Sequence, residues 1–273
     1  MQRRVVGSLA LVSFAAAGCF VPDNAKPDVG FGATFATRFV HRGMTLVDDA
    51  VLQPKLAIGL PTTSGDRIGV EVEANMDLHN DTGDAWFPDG HAGRFTQIEM
   101  VASYSKKVGD FDLRGGLHSY NLPNGTEFIN SAASRERGGT SEVFLQASTE
   151  VLEATPYVLV HYDFDEVRGG YYRAGLSEDI PLGEKLSVGL DGSLGYVSSA
   201  QGLWMYALAE SGFADLRGEL VLKWQYDART QVRVGVHGSM IVDGTIDAWF
   251  NELGANGIDD DPIWFTAGMS WSF

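Results

Sequence analysis

Between residues 68 and 78 the chain alternates apolar and polar side chains without a break. Ile68, Val70, Val72, Ala74, Met76 and Leu78 fall on one side, and Glu71, Glu73, Asn75 and Asp77 on the other. Successive side chains of a strand point to opposite faces, so this is a two-faced strand. Residues 214–226 repeat the pattern, setting Leu216, Leu220, Leu222, Trp224 and Tyr226 against Asp215, Arg217, Glu219, Lys223 and Gln225. Residues 231–240 follow, with Val232, Val234, Val236 and Met240 against Gln231, Arg233, His237 and Ser239. The chain closes on Ile263, Phe265, Ala267, Met269, Trp271 and Phe273, opposite Thr266, Gly268, Ser270 and Ser272. Twelve such segments can be counted: 31–40, 52–60, 68–78, 95–106, 111–120, 142–148, 157–164, 171–180, 185–197, 214–226, 231–240 and 263–273.

The connections alternate as strictly as the side chains. Long ones cover 41–51, 79–94, 121–141, 165–170, 198–213 and 241–262; short ones cover 61–67, 107–110, 150–156, 181–184 and 227–229. An even number of roughly ten-residue strands with short turns on one side and long loops on the other predicts an all-β fold, a single antiparallel transmembrane β-barrel of about twelve strands. Its short turns would be periplasmic and its long loops extracellular. Apolar-face aromatics gather at both ends, as membrane interfaces require. Phe31, Tyr104, Phe111, Trp224, Tyr226 and Phe273 mark the periplasmic girdle; Phe39, Tyr162, Phe164, Tyr172, Tyr196 and Phe265 mark the outer one. A periplasmic β-sandwich is the competing fold, with its polar faces in water and its aromatics inside. The loop alternation favours the barrel.

The first 18 residues have the make-up of an export signal: Arg3 and Arg4, an apolar run from Val5 to Phe14, then Ala15-Ala16-Ala17. That run is too short to cross a bilayer as a helix. Cys19 is the only cysteine, which excludes an internal disulfide. Ala16-Ala17-Gly18-Cys19 resembles a lipobox, which makes Cys19 a candidate for lipidation in place of ordinary cleavage nearby. Residues 19–29 read as a tether and 30–273 as the barrel. Without Arg3 and Arg4 the chain carries 18 basic and 36 acidic residues, a net of −18. That acidity argues against nucleic acid as a partner. The terminal strand and Phe273 resemble the C-terminal signal read by the bacterial barrel-assembly machinery, so that machinery and outer-membrane lipids are the expected partners.

Residues 37–54, with Arg42-Gly43, Asp48-Asp49 and Val51-Leu52-Gln53, resemble the first hairpin of TorF-type porins, and the closing strand is similar too. The resemblance implies a barrel in the cell outer membrane of a Gram-negative bacterium, classed with porins and without a defined substrate.

Lipid against the apolar faces puts the polar faces inside. Arg38, Lys55, Glu71, Glu73, Glu99, Arg114, His118, Arg173, Asp191, Arg217, Glu219, Lys223, Arg233 and His237 are the predicted pore lining, beside Asp77, Asp112, Glu142, Asp163 and Asp215. Both signs are present, as in a charged constriction that selects small hydrophilic solutes or ions for passive diffusion. Small residues at Gly59, Gly69, Gly116, Gly175, Gly189 and Gly235 would leave room. A lumen filled with salt bridges is the alternative, leaving the barrel a structural or surface-interaction role through its long loops. An outer-membrane hydrolase is a third reading, resting on the His237-Gly238-Ser239 pair. That pair faces the lumen, away from lipid, and is expected to be lining. No catalytic, cofactor-binding or metal-ligating set is expected: there is no Walker loop, zinc-cluster spacing or dinucleotide fingerprint. Asp259-Asp260-Asp261 lacks the spacing of a calcium loop and reads as solvated charge. The apolar loop stretches at residues 204–208 and at Trp249-Phe250 are expected either to fold over the mouth as short helices or to present a contact surface.

Overall fold

A computed structural model describes residues 21–22, 25–80, 92–126, 136–253 and 261–273. In chain order its elements are β1 (Asp28–Ala36), β2 (Phe39–His41), β3 (Met44–Val47), β4 (Val51–Pro61), β5 (Arg67–Asp77), β6 (Phe95–Val108), β7 (Phe111–Thr126), β8 (Glu136–Thr149), β9 (Ala154–Asp163), β10 (Gly170–Pro181), β11 (Leu186–Val197), α1 (Ser199–Tyr206), β12 (Gly212–Gln225), β13 (Thr230–Ile241), α2 (Gly244–Leu253) and β14 (Ile263–Ser272). Twelve strands close into an antiparallel ring, while β2 and β3 form a separate two-stranded hairpin. The twelve-strand transmembrane barrel predicted from the alternation is the fold observed.

Closure takes place at β1, where Phe31 faces Trp271 of β14 on one side and Leu56 of β4 on the other. The last residue joins this seam, its Phe273 N–H donating to Val29 O at 2.9 Å. Closure is obligatory in hydrocarbon, where each backbone group left without a partner costs several kcal/mol. All of the predicted periplasmic girdle is exposed on the barrel's outer surface, as are Tyr162, Phe164, Tyr172, Tyr196 and Phe265 at the other end.

Phe39 departs from that expectation. It is buried, because β1 stops at Ala36 instead of running to residue 40. Thr37 ends the strand by bonding twice to β14: its N–H donates to Phe265 O at 3.0 Å, and its Oγ1 accepts from Phe265 N–H at 3.1 Å. The chain then turns into the barrel, and β2 and β3 lie inside the extracellular mouth. Two further differences are extensions: β7 and β8 run to Thr126 and from Glu136, so much of the connection expected over 121–141 is strand.

The apolar core therefore sits inside the outer half of the barrel. Phe39, Met44, Leu46 and Val47 of the hairpin pack with Val51, Val197, Ala214, Ile241 and Trp264 of the wall and with Met205, Tyr206 and Ile246 of α1 and α2. Each fully buried side chain of this kind contributes roughly 1.5–3 kcal/mol. Both apolar loop stretches thus supply short helices that fold over the mouth, as one of the two expectations had it. Trp249 Nε1 ties them together, donating to Tyr206 O at 2.9 Å. The calcium-loop question falls largely on residues 254–260, outside the described residues, as do residues 1–18 and Cys19.

Candidate functional site

The site is the lumen, and the hairpin tip divides it. Arg42 and Gly43 make the turn with φ of 49° and 84°, both in the left-handed region. A side chain at Gly43 would meet Asp215 Cβ at 2.5 Å, so glycine lets the tip rest against β12. From that tip Arg42 reaches across to β8. Its Nη1 donates to Glu142 Oε1 at 2.9 Å and its Nη2 to Oε2 at 2.6 Å, the two-pronged geometry of a strong guanidinium–carboxylate pair. Nη2 also donates to Tyr120 Oη at 3.0 Å, and the guanidinium lies 4.4 Å from the centre of the Tyr171 ring. Tyr206 of α1 donates its hydroxyl to Arg42 O at 3.0 Å. Both members of the ion pair are buried, Glu142 at 1 % exposure.

Around this latch the inward acids Glu99, Asp163 and Asp215 are also held. His161 Nδ1 lies 2.8 Å from Glu142 Oε2, close enough to interact, although no hydrogen bond of acceptable geometry forms. His118 places Nε2 2.8 Å from Glu99 Oε2 and Nδ1 3.0 Å from Tyr120 Oη. Asp215 accepts from Tyr171 Oη and from Arg173 Nη2, each at 2.9 Å. Asp163 is fully buried and accepts from Thr140 Oγ1 and from the amides of Asp165, Val167 and Arg168 at 3.0, 3.0 and 3.2 Å, which shapes the β9–β10 loop.

Towards the periplasm the same inward faces stand in water. Lys55 pairs with Glu71 at 2.9 Å and Glu73 at 3.4 Å, and its side chain is 45 % exposed. Arg114 also pairs with Glu71. Lys223 meets Asp179 at 2.6 Å, while nearer the outer half Arg217 meets Glu219 at 2.5 Å and lies over the Trp264 ring, its Nε buried without a hydrogen-bond partner among the described residues. Arg233 is exposed and has no ion-pair partner among the described residues. At the periplasmic rim a pocket of about 450 Å³ is lined by Arg67, Lys106, Lys107 and Arg114 with Asp66 and Asp112.

Among the predicted lining residues, Lys55, Glu71, Glu73, Glu99, Arg114, His118, Arg173, Asp191, Arg217, Glu219, Lys223, Arg233 and His237 stand on barrel strands. Arg38 does not: it follows the end of β1 and pairs with Asp48 at 2.6 Å. The expectation that inward glycines leave room is overturned. A side chain at Gly59 would strike the Arg67 guanidinium at 2.1 Å, one at Gly175 the Tyr157 ring at 2.5 Å, and one at Gly189 Lys223 Nζ at 2.8 Å. The space is filled by long neighbours lying across the wall. His237 is buried, stacks on Trp264 at 5.2 Å, and its Nε2 lies 2.8 Å from Thr266 Oγ1.

Sequence reading missed Arg42, Tyr120 and Tyr171 as lumen residues. The available signal was the apolar character of Met44, Leu46 and Val47 in a loop expected to face water.

No family model and no curated protein matches the chain by sequence. Solved structures match by shape. An outer-membrane channel from Pseudomonas putida F1 aligns with a TM-score of 0.52 at 10% identity, covering 93% of this chain and 97% of that one. The KdgM porin aligns at 0.47 and 11% identity, covering 90% and 99%. The outer membrane phospholipase A from Escherichia coli aligns at 0.47 and 12% identity, covering 92% of each. At 10% identity the likeness to the Pseudomonas putida channel speaks to the barrel fold alone, and the other two alignments carry no argument.

Proposed function

We propose that this protein is a porin-like channel of the outer membrane, passing small hydrophilic solutes or ions by passive diffusion, with the β2–β3 hairpin setting passage through its outer half. The observation that carries this reading is the wet, two-signed inner lumen. Lys55, Glu73, Asp179 and Arg233 stay in water inside the wall, where a barrel with a purely structural role gains nothing from keeping them. Arg217 and Glu219 tune its charge selectivity together with Lys55, Glu71 and Arg114. The resemblance of residues 37–54 to TorF-type porins belongs to the same reading and falls on the hairpin itself. Residues 1–18 act as the export signal, Cys19 is the lipidation candidate, and Phe273 at the closing seam is the element read during barrel assembly.

One observation favours a second reading, a closed barrel working through its loops: the hairpin is docked on an apolar core and is not a loose flap. Single-channel conductance of the refolded protein in planar bilayers separates the two. Folding is checked by heat-modifiable gel mobility. The channel reading expects small or rare steps from the native chain and large, ion-selective steps once residues 39–47 are replaced by a short polar linker. Neutralising Arg217 or Glu219 then shifts the reversal potential. Silence from both folded proteins establishes the closed barrel instead.

A further inference from the structure

Three donor groups converge where the hairpin tip meets the wall. One ring nitrogen of His118, one of His161 and one carboxylate oxygen of Glu142 all lie within 4.8 Å of one another. They stand on the consecutive strands β7, β8 and β9, and strand register places them there: His118 pairs with Glu142, and His161 with Phe144 two residues along. Two donors bound to one tetrahedral zinc ion at about 2.1 Å stand about 3.4 Å apart, so closing this triangle draws its widest pair together by up to about 1.4 Å, within the reach of side-chain rotation.

The surroundings prepare the donors. An ionised carboxylate can only accept, so the 2.8 Å contact to Glu99 Oε2 puts the His118 proton on Nε2 and leaves Nδ1 as an acceptor, which the Tyr120 hydroxyl meets at 3.0 Å and which a metal ion would take over by displacing it. A histidine held through its far nitrogen by a carboxylate is the usual outer-shell arrangement of a metal ligand. His161 is 8 % exposed, and its Nδ1 has no hydrogen-bond partner among the described residues while facing Glu142. Buried polar atoms are rarely left in that state.

We propose that His118, Glu142 and His161 form a binding site for a transition-metal ion of the zinc class, and that this ion competes with Arg42 for Glu142. Two imidazoles and one carboxylate suit zinc; calcium and magnesium prefer all-oxygen shells. In the docked hairpin the guanidinium holds both oxygens of Glu142 and is the cation of the site. A metal ion must displace it, so metal binding and the latched hairpin exclude each other, and each weakens the other by the same factor. The site stands apart from the channel reading; only its consequence, a metal-opened hairpin, rests on that reading.

The test is calorimetric titration of Zn²⁺ into the folded full chain in detergent, with the visible spectrum of the Co²⁺ form as a second readout. One ion per chain is expected, not displaced by Ca²⁺. Arg42→Gln removes the competitor and strengthens binding about tenfold or more, whereas Glu99→Gln weakens it about tenfold. His118→Gln and His161→Gln each abolish the Co²⁺ spectrum. A native chain that binds nothing while Arg42→Gln binds one ion also supports the competition. Zn²⁺ uptake unchanged in the folded His118→Gln/His161→Gln double variant overturns the site, as does absence of uptake by both the native chain and Arg42→Gln. Binding equal in the native chain and Arg42→Gln overturns the competition. Zn²⁺ that binds through His161 without raising conductance counts against the channel reading and leaves the site standing.

Discussion

The two halves of the lumen follow the same alternating pattern and end in opposite states. In the outer half Glu142, Asp163 and Asp215 are dry, and each is held by several donors. In the inner half Lys55, Asp179 and Arg233 point inward just as regularly, yet stay in water. Strand periodicity therefore sets which way a side chain points and not what it meets. The difference is made by a hairpin of nine residues, 39–47, that folds back into one end of the barrel. Once it excludes water, every charge it covers needs a partner, because an unpaired buried charge costs far more than an exposed one.

That contrast can be broken from either side. The largest effect is expected from Glu142→Ala, which strands the Arg42 guanidinium in a dry site. Removing one member of a buried pair costs about 3–5 kcal/mol. Amide hydrogen exchange across residues 39–47 should accelerate accordingly, with the barrel strands unaffected; unchanged exchange would mean that the latch holds nothing. Gly43→Val comes next, since it forces a branched side chain into a left-handed turn and against Asp215. About 1–3 kcal/mol of hairpin docking should be lost by the same measurement.

In the wet half the outcome should reverse. Lys55→Gln removes two partly exposed ion pairs, and thermal stability should change by no more than about 1 kcal/mol. The reversal potential of the hairpin-excised barrel should nevertheless move towards cation selectivity. A loss of stability as large as that of Glu142→Ala would erase the distinction between the halves.

The smallest effect lies outside the membrane, in the β12–β13 turn. The amides of Arg229 and Thr230 donate to Asp227 Oδ1, each at 2.8 Å, and hold its carboxyl below the usual carboxylate range. A carboxyl depressed by folding supports the turn fully above its ordinary value of about 3.9, and that support fades as pH falls through the lower folded value. The Arg229 and Thr230 amide NMR signals should therefore shift only under strongly acid conditions, and the shift should vanish in Asp227→Asn.

Legibility in the sequence follows the range of the physics. The strand at 68–78 was readable because side-chain alternation is a property of adjacent residues. Short turns and girdle aromatics were readable for similar reasons. Phe39 was misplaced because alternation carries past the point where Thr37 halts β1, and that halt depends on β14, more than 200 residues away. The lumen glycines misled because an empty position in sequence is filled in space by the side chain lying over it, as Tyr157 does at Gly175.

The strands, their faces, the girdles and hence a closed barrel are written in the residue order, since each follows from local periodicity together with the demand that no backbone group be left bare in lipid. That the hairpin fills the outer lumen, and which groups hold it there, rests on contacts between residues far apart in the chain. Arg42 and Glu142 are separated by 100 residues, and Arg42 and Tyr206 by 164. Such contacts leave no periodic trace, because the entropy of closing a loop grows only slowly with its length and so marks no particular partner.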